Sequence, residues 1–166
     1  SSDLYRQVYS LDAKIARVFT TYGPHMKIFE KQLIPEFIIN SLEGKDLVIY
    51  CNKDFSTSLC YVTDIVDGLM KLMDSSPDVK VANLGGETAV RYADVAEMII
   101  AMTRSQSRLV FEEPLLFLTR KGVPNIAYAK ETLGWLPLVR LEEGLQKTID
   151  YVIANMHELV VKEVHG

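Results

Sequence analysis

Short β-rich runs alternate with helical patterns along these 166 residues, and this alternation limits the folds that the chain can adopt. Blocks rich in apolar and β-branched residues predict strands at 14–20, 47–50, 59–62, 79–84 and 108–111. Apolar positions at helical spacing predict helices at 33–42, 63–73 and 93–103, a short helix ending at 133, and a last helix from 141. Strands that alternate with helices indicate an α/β fold with a small, mainly parallel sheet and flanking helices.

Prolines and glycines mark the limits of several predicted elements. Pro24 follows the first strand, and Pro35 suits the first turn of a helix because its missing N–H has no intrahelical partner there. Gly134 provides a left-handed stop after the short helix. In the helix at 63–73 we expect Thr63 or Asp64 to cap the start. The residues of this helix expected to face inward are Ile65, Val66, Leu69, Leu72 and Met73.

Composition excludes several classes of protein. The net charge of −4 and a pI near 5.4 argue against a protein that binds nucleic acid. No apolar run reaches the roughly 18 residues of a membrane span. The first residues lack the basic start and apolar core of a signal peptide, and two cysteines make no disulfide framework. We therefore expect a cytoplasmic protein with neither nucleic acid nor membrane as a partner.

Motifs for catalysis and cofactor binding are incomplete in this sequence. It contains neither G-x-G-x-x-G nor G-x-x-x-x-G-K-[ST], and the glycine pair at 85–86 follows a strand. Such a pair suits a tight turn or a close approach of backbone to phosphate. Cys51 and Cys60 are nine residues apart without a nearby histidine, so metal-ligand spacing is absent. His25 lacks a local carboxylate partner, and we assign no catalytic, cofactor-binding or metal-binding residue from these patterns.

Several segments, taken in order, resemble one enzyme family. Residues 17–24 read RVFTTYGP, 30–35 read EKQLIP, 60–64 read CYVTD and 83–86 read NLGG. Residues 133–137 read LGWLP, 141–145 read LEEGL and 148–151 read TIDY. This set resembles the C-terminal half of extended short-chain dehydrogenase/reductase enzymes that act on nucleotide sugars. That family includes UDP-glucuronate decarboxylases, dTDP-glucose 4,6-dehydratases and sugar-nucleotide epimerases.

The resemblance implies a division of labour between two halves of an extended Rossmann-type enzyme. In the family, the first half holds NAD at a glycine-rich turn and carries a catalytic Tyr-x-x-x-Lys pair. By this resemblance the chain begins just after that lysine, so residues 1–24 are the edge of the cofactor domain and 25–166 the substrate domain. The expected partners are a UDP- or dTDP-linked sugar and the missing N-terminal half.

Two hypotheses about function follow from the resemblance. In the first, the chain is the nucleotide-sugar-binding part of an NAD-dependent enzyme and is inactive alone, without a cofactor of its own. In the second, it is a degenerate, non-catalytic module that binds nucleotide sugars or proteins. Under the first we also expect the strand at 14–20 to have an apolar flank that the other half covers, and the chain to form a homodimer where that flank is open.

The resemblance also implies a set of substrate-binding residues, several of which depart from the family pattern. Thr20 stands where the family has asparagine, His25 where decarboxylases have arginine, and Thr57 where the diphosphate-binding arginine is expected. Losing an arginine–phosphate pair weakens binding by ~1.5–3 kcal/mol. The cations left near the site have a simpler explanation as solvated surface charges. The expected set is Thr20, His25, Lys31, Gln32, Leu33, Tyr50, Thr57, Arg120 and Lys121.

Overall fold

The computed structural model describes residues 9, 12–26, 32–51, 53–113 and 122–164, with side chains up to residue 156. Its strands are β1 (Ile15–Val18), β2 (Thr21–Tyr22), β3 (Leu47–Ile49), β4 (Ser56–Ser58), β5 (Cys60–Tyr61), β6 (Val81–Leu84), β7 (Ala89–Arg91) and β8 (Leu109–Phe111). Its helices are α1 (Leu33–Leu42), α2 (Val62–Asp74), α3 (Tyr92–Thr103), α4 (Ala127–Leu133) and α5 (Leu141–Val164). Each predicted helix and strand is present, most of them with slightly different limits.

The strands of the described residues form four pairs. Parallel pairing joins β1 to β6, β2 to β5, and β3 to β8, whereas β4 and β7 run antiparallel. The predicted α/β class with a mainly parallel arrangement is therefore confirmed. The sequence patterns did not predict β2, β4 or β7, because these strands have two or three residues and little apolar alternation.

The larger hydrophobic cluster, called the main core here, lies between α1, α3, α5 and β3. Ile38 and Ile99, one from α1 and one from α3, are fully buried in it. Leu145 and Ile149 of α5 face the same cluster, while Ile153 of the same helix is 56% exposed. The main core is thus enclosed by helices on several sides.

A smaller cluster, called the second core here, lies between the β1–β6 pair, α2 and α4. Trp135 is at its centre with no exposed surface, and its Nε1–H donates to the carbonyl oxygen of Asp64 at 2.8 Å. Trp135 therefore packs the corner between α4 and the loop that follows it. Gly134 ends α4 with φ of 59°, the predicted left-handed stop. Other members of the second core are Cys60, Ile65, Leu84, Ile126 and Ala129.

Two expectations about α2 are wrong. Val66 is 49% exposed and Met73 is 75% exposed, because the packed face of this helix is the one that carries Ile65, Gly68 and Leu72. Asp64 does not cap the helix. Its carboxylate is buried and accepts hydrogen bonds from the backbone N–H groups of Leu138 and Val139 at 3.1 and 3.0 Å, which ties the segment before α5 to α2.

Candidate functional site

The predicted residues Thr20 and Thr57 lie side by side near the carboxyl end of β1. Their hydroxyl oxygens are 3.4 Å apart, and Thr57 Oγ1 donates to the Ser58 carbonyl oxygen at 3.3 Å. Thr57 is only 1% exposed. The backbone joins the same two segments, because Cys60 N–H donates to the Thr20 carbonyl oxygen at 3.0 Å. Carboxyl ends of parallel strands are the usual place for ligands in open α/β sheets, but this pair offers no positive charge.

The glycine pair at 85–86 lies at the same end of β6 and packs against the protein itself. A Cβ atom on Gly86 would overlap the Leu59 carbonyl oxygen. A Cβ atom on Gly85 would come within 2.8 Å of Phe19 Cβ and of a ring carbon of Pro124. Both glycines are buried. Close approach of neighbouring chain segments therefore explains this pair, in agreement with the turn interpretation.

His25 is held by a partner that sequence patterns did not identify. Its Nδ1 lies 3.1 Å from the Tyr151 hydroxyl oxygen, and the two ring centroids are 4.7 Å apart. His25 has φ of 65°, in the left-handed region that few non-glycine residues occupy. Tyr151 belongs to the TIDY motif at 148–151, which indicates the family but does not predict a contact with His25.

A shallow, mainly apolar pocket opens beside this pair. It lies between the turn after β2, the start of α1 and the middle of α5. Thr148 in its wall uses its hydroxyl within α5, where it donates to the Gly144 carbonyl oxygen at 2.7 Å. The lining residues are Gly23, Met26, Pro35, Thr148, Tyr151 and Val152.

The other predicted site residues are dispersed. Gln32 precedes α1 and is exposed, and Leu33 begins α1 and packs against the main core. Tyr50 follows β3 and is 38% exposed. The three predicted cations, Lys31, Arg120 and Lys121, lie outside the described residues. Among the described members of the set, Thr20 and Thr57 contact each other, whereas His25 contacts Tyr151 instead.

Buried hydroxyl and thiol groups near β2 and β5 are poor acids. Burial raises the pKa of the Tyr22 hydroxyl well above its usual range, and the neighbouring Cys60 thiol adds to this effect. Burial, followed by the charge of Asp64, raises the pKa of Cys60 to about 12. Tyr22 Oη instead donates to the Leu141 carbonyl oxygen at 3.3 Å. Both groups stay protonated at neutral pH and support packing rather than nucleophilic chemistry.

The fold is similar to that of one half of Rossmann-type epimerases and dehydratases. It superposes on UDP-glucose 4-epimerase of Thermotoga maritima, solved with UDP-glucose, with a TM-score of 0.87 and 24% sequence identity, over 93% of this chain and 50% of the epimerase. It also superposes on dTDP-glucose 4,6-dehydratase of Bacillus anthracis, solved with NAD, with a TM-score of 0.81 and 26% identity, over 93% of this chain and 48% of the dehydratase.

Sequence comparison then identifies the family. Residues 3–85, half of the chain, match the family described as "NAD dependent epimerase/dehydratase family". Over 141 residues the chain is 35% identical to UDP-glucuronic acid decarboxylase 5 of Arabidopsis thaliana, covering 85% of this chain and 41% of that relative. The chain belongs to the NAD-dependent epimerase/dehydratase family and spans less than half the length of this curated relative. Within the described residues, no helix is long and apolar enough to cross a membrane.

Proposed function

We propose that these 166 residues form the nucleotide-sugar-binding part of an NAD-dependent epimerase, dehydratase or decarboxylase. The observation that carries the proposal is the superposition of this chain, with a TM-score of 0.87, on half of an epimerase solved with UDP-glucose. The sequence contains no glycine-rich dinucleotide turn and no Tyr-x-x-x-Lys. NAD binding and proton transfer would thus depend on polypeptide outside these residues, and the 166 residues alone would be inactive.

In this proposal, residues 25–166 are the substrate domain and residues 1–24 belong to the edge of the cofactor domain. Thr20 and His25 would lie near the sugar nucleotide, and Tyr50 would offer an aromatic face to it. Because Thr20 and Thr57 are uncharged, the diphosphate would depend on cations elsewhere. Lys31, Arg120 and Lys121 are the proposed source of that charge.

The open edge of β1 is the proposed contact with the cofactor half. Within the described part of the chain, β1 pairs with β6 alone, and its last residue, Val18, is 46% exposed. A strand edge with unpaired backbone groups readily accepts another strand. A second copy of this chain is the other candidate for this edge, which would give a homodimer.

Titration calorimetry with UDP-glucuronic acid, UDP and NAD tests the proposal. We expect the chain to bind UDP-glucuronic acid about ten- to a hundredfold more weakly than a relative that keeps the diphosphate arginine. We expect no binding of NAD and no turnover. Tyr50→Ala should weaken binding, whereas Tyr128→Ala, a matched exposed tyrosine on α4, should leave it unchanged. Tight binding of NAD, or conversion of the sugar without added protein, would contradict the proposal.

A non-catalytic module is the second candidate, and the uncharged Thr20–Thr57 pair, in which Thr57 is buried, is the observation that favours it. As a protein-interaction module the chain would have no measurable affinity for UDP- or dTDP-linked sugars, whereas as a nucleotide-sugar-binding module it would bind them without turnover. The reading frame that encodes the chain gives an independent test. A glycine-rich turn and Tyr-x-x-x-Lys encoded directly upstream would support the enzyme, and a start codon next to Ser1 would support the module.

A further inference from the structure

We infer that Tyr151 is a positioning residue, which orients the His25 imidazole so that its Nε2–H is directed at an anionic oxygen of the bound sugar nucleotide. This inference rests on the proposed function, because that function supplies the ligand. Tyr151, which lies on α5, would thus affect ligand binding only through its contact with His25.

The first support is the geometry of the pair. Tyr151 Oη and His25 Nδ1 are 3.1 Å apart, within hydrogen-bond distance, and the rings are tilted by 50° with centroids 4.7 Å apart. The two residues are 126 positions apart in sequence. Helix α5 therefore determines where the imidazole lies, although His25 itself belongs to the turn after β2.

The second support is the chemistry of the two groups, which suits a hydrogen bond from the Tyr151 hydroxyl to His25 Nδ1. A phenol is a good donor, and the unprotonated nitrogen of a neutral imidazole is a good acceptor. A neutral imidazole carries one proton, so accepting at Nδ1 leaves that proton on Nε2. The Tyr151 hydroxyl thus favours the tautomer in which Nε2–H is available as a donor on the other side of the ring.

The third support is the backbone of the turn. His25 has φ of 65°, a conformation that a non-glycine residue keeps only where its surroundings hold it. Gly23 N–H donates to Met26 Sδ at 3.2 Å within the same turn, and a Cβ atom on Gly23 would come within 2.5 Å of Val62 Cγ1. Close packing on one side and Tyr151 on the other together restrict the imidazole.

His25 is exposed, so a ligand can reach its ring. An N–H donor suits a diphosphate or uronate oxygen, but an uncharged imidazole binds such an oxygen less strongly than a guanidinium does. His25 with Tyr151 would thus be a weaker replacement for the arginine that the resemblance places at this position.

A double-mutant cycle on the full 166-residue chain tests the inference, with UDP-glucuronic acid as the probe at pH 8, above the ordinary imidazole pKa of about 6.5. We expect Tyr151→Phe to weaken binding about three- to tenfold. The same change should have no effect in a His25→Ala background, because Tyr151 acts only through His25. Tyr128→Phe on α4 is the matched control and should bind like the unchanged chain.

Nitrogen-15 NMR measures the His25 ring nitrogens directly. Their signals would not change in Tyr151→Phe if Tyr151 had only a structural role. The His25 signals, identified by their loss in His25→Gln, should show a protonated Nε2 and an unprotonated Nδ1, and Tyr151→Phe should shift them toward a mixture of tautomers. A protonated Nδ1, or an equal loss of affinity in both backgrounds, would overturn the inference alone. Failure of the unchanged chain to bind the probe would overturn the proposed function as well, so the two failures are distinguishable.

Discussion

The main core and the second core differ in how completely they are enclosed. Three helices and a strand surround the main core, and Ile38, Val95 and Leu145 have no exposed surface there. The second core buries Trp135 and Leu84 just as fully, but the elements around it have open flanks. The outer face of α2 exposes Val66, Met70 and Met73 at 49, 58 and 75%.

This difference indicates which side of the molecule is suited to a protein partner. An exposed apolar stripe, and a strand edge without a partner among the described residues, are each typical of surfaces that another polypeptide covers. The main core does not require a partner to cover it, since its helices already bury one another's apolar faces. Four predictions test this contrast, beginning with the largest expected effect.

Removing the indole at the centre of the second core should have the largest effect on stability. Trp135→Ala should lower the free energy of unfolding by about 3–5 kcal/mol, because it leaves a cavity and deprives the helix carbonyl of Asp64 of its donor. Urea denaturation measures the loss, and Trp135→Phe is the milder control. Hydrogen exchange should accelerate in β1 and β6 before it does in α1 and α3. Equal acceleration everywhere would show that the two cores are one cooperative unit.

A substitution where α5 meets β2 tests the packing at the border of the main core. Gly144→Ala should cost about 1–3 kcal/mol, because the new methyl group would overlap the Tyr22 hydroxyl. Gly122→Ala is the control, since no heavy atom of the described residues lies within 4 Å of a Cβ atom there. Combining Gly144→Ala with Tyr22→Phe should recover part of the loss in thermal denaturation. Equal costs at both glycines would contradict the close packing.

Stability should fall as the pH rises above the ordinary thiol range. Cys60 has a pKa of about 12 in the folded chain, against the model-compound value of 9.0. Between these values the unfolded chain releases a proton that the folded chain keeps, so the free energy of unfolding decreases. Denaturation midpoints from pH 8 to 11 measure this slope, and Cys60→Ala should make it shallower. A slope that Cys60→Ala leaves unchanged would contradict a buried thiol at this position.

The smallest effect on stability is expected at the outer face of α2. Met73→Gln should change the free energy of unfolding by no more than about 0.5 kcal/mol, because the side chain is 75% exposed. Sedimentation velocity decides whether copies associate through this face. A shift from dimer to monomer in Met73→Gln would place α2 in a homodimer contact, whereas a monomer at all concentrations would leave the face to a different partner.

Much of the fold could be predicted because helical periodicity survives in this sequence. The predicted limits of α1 match the structure at both ends, and Gly134 ends α4 as expected. The face of α2 was misjudged because Val66 and Met73 are as apolar as Ile65, and periodicity alone does not show which apolar residues have a neighbour. Strand β4, Ser-Thr-Ser, was missed since buried polar residues give no alternating pattern.

The candidate site was predictable only where the family motifs name its residues. Thr20 and Thr57 were identified as departures from those motifs, but the 3.4 Å contact between them depends on the pairing of β2 with β5. Tyr151 was not identified as the partner of His25, because a contact across 126 residues leaves no local pattern.

The sequence by itself, through its short-range patterns and the succession of its motifs, thus determined the α/β class, the helices and the family. Tertiary packing decided which apolar faces are covered, that the carboxylate of Asp64 serves a loop rather than a helix cap, and which tyrosine meets His25. The physical reason is range: periodicity and turn chemistry act between residues a few positions apart, whereas burial and hydrogen-bond partners depend on segments that only folding brings together.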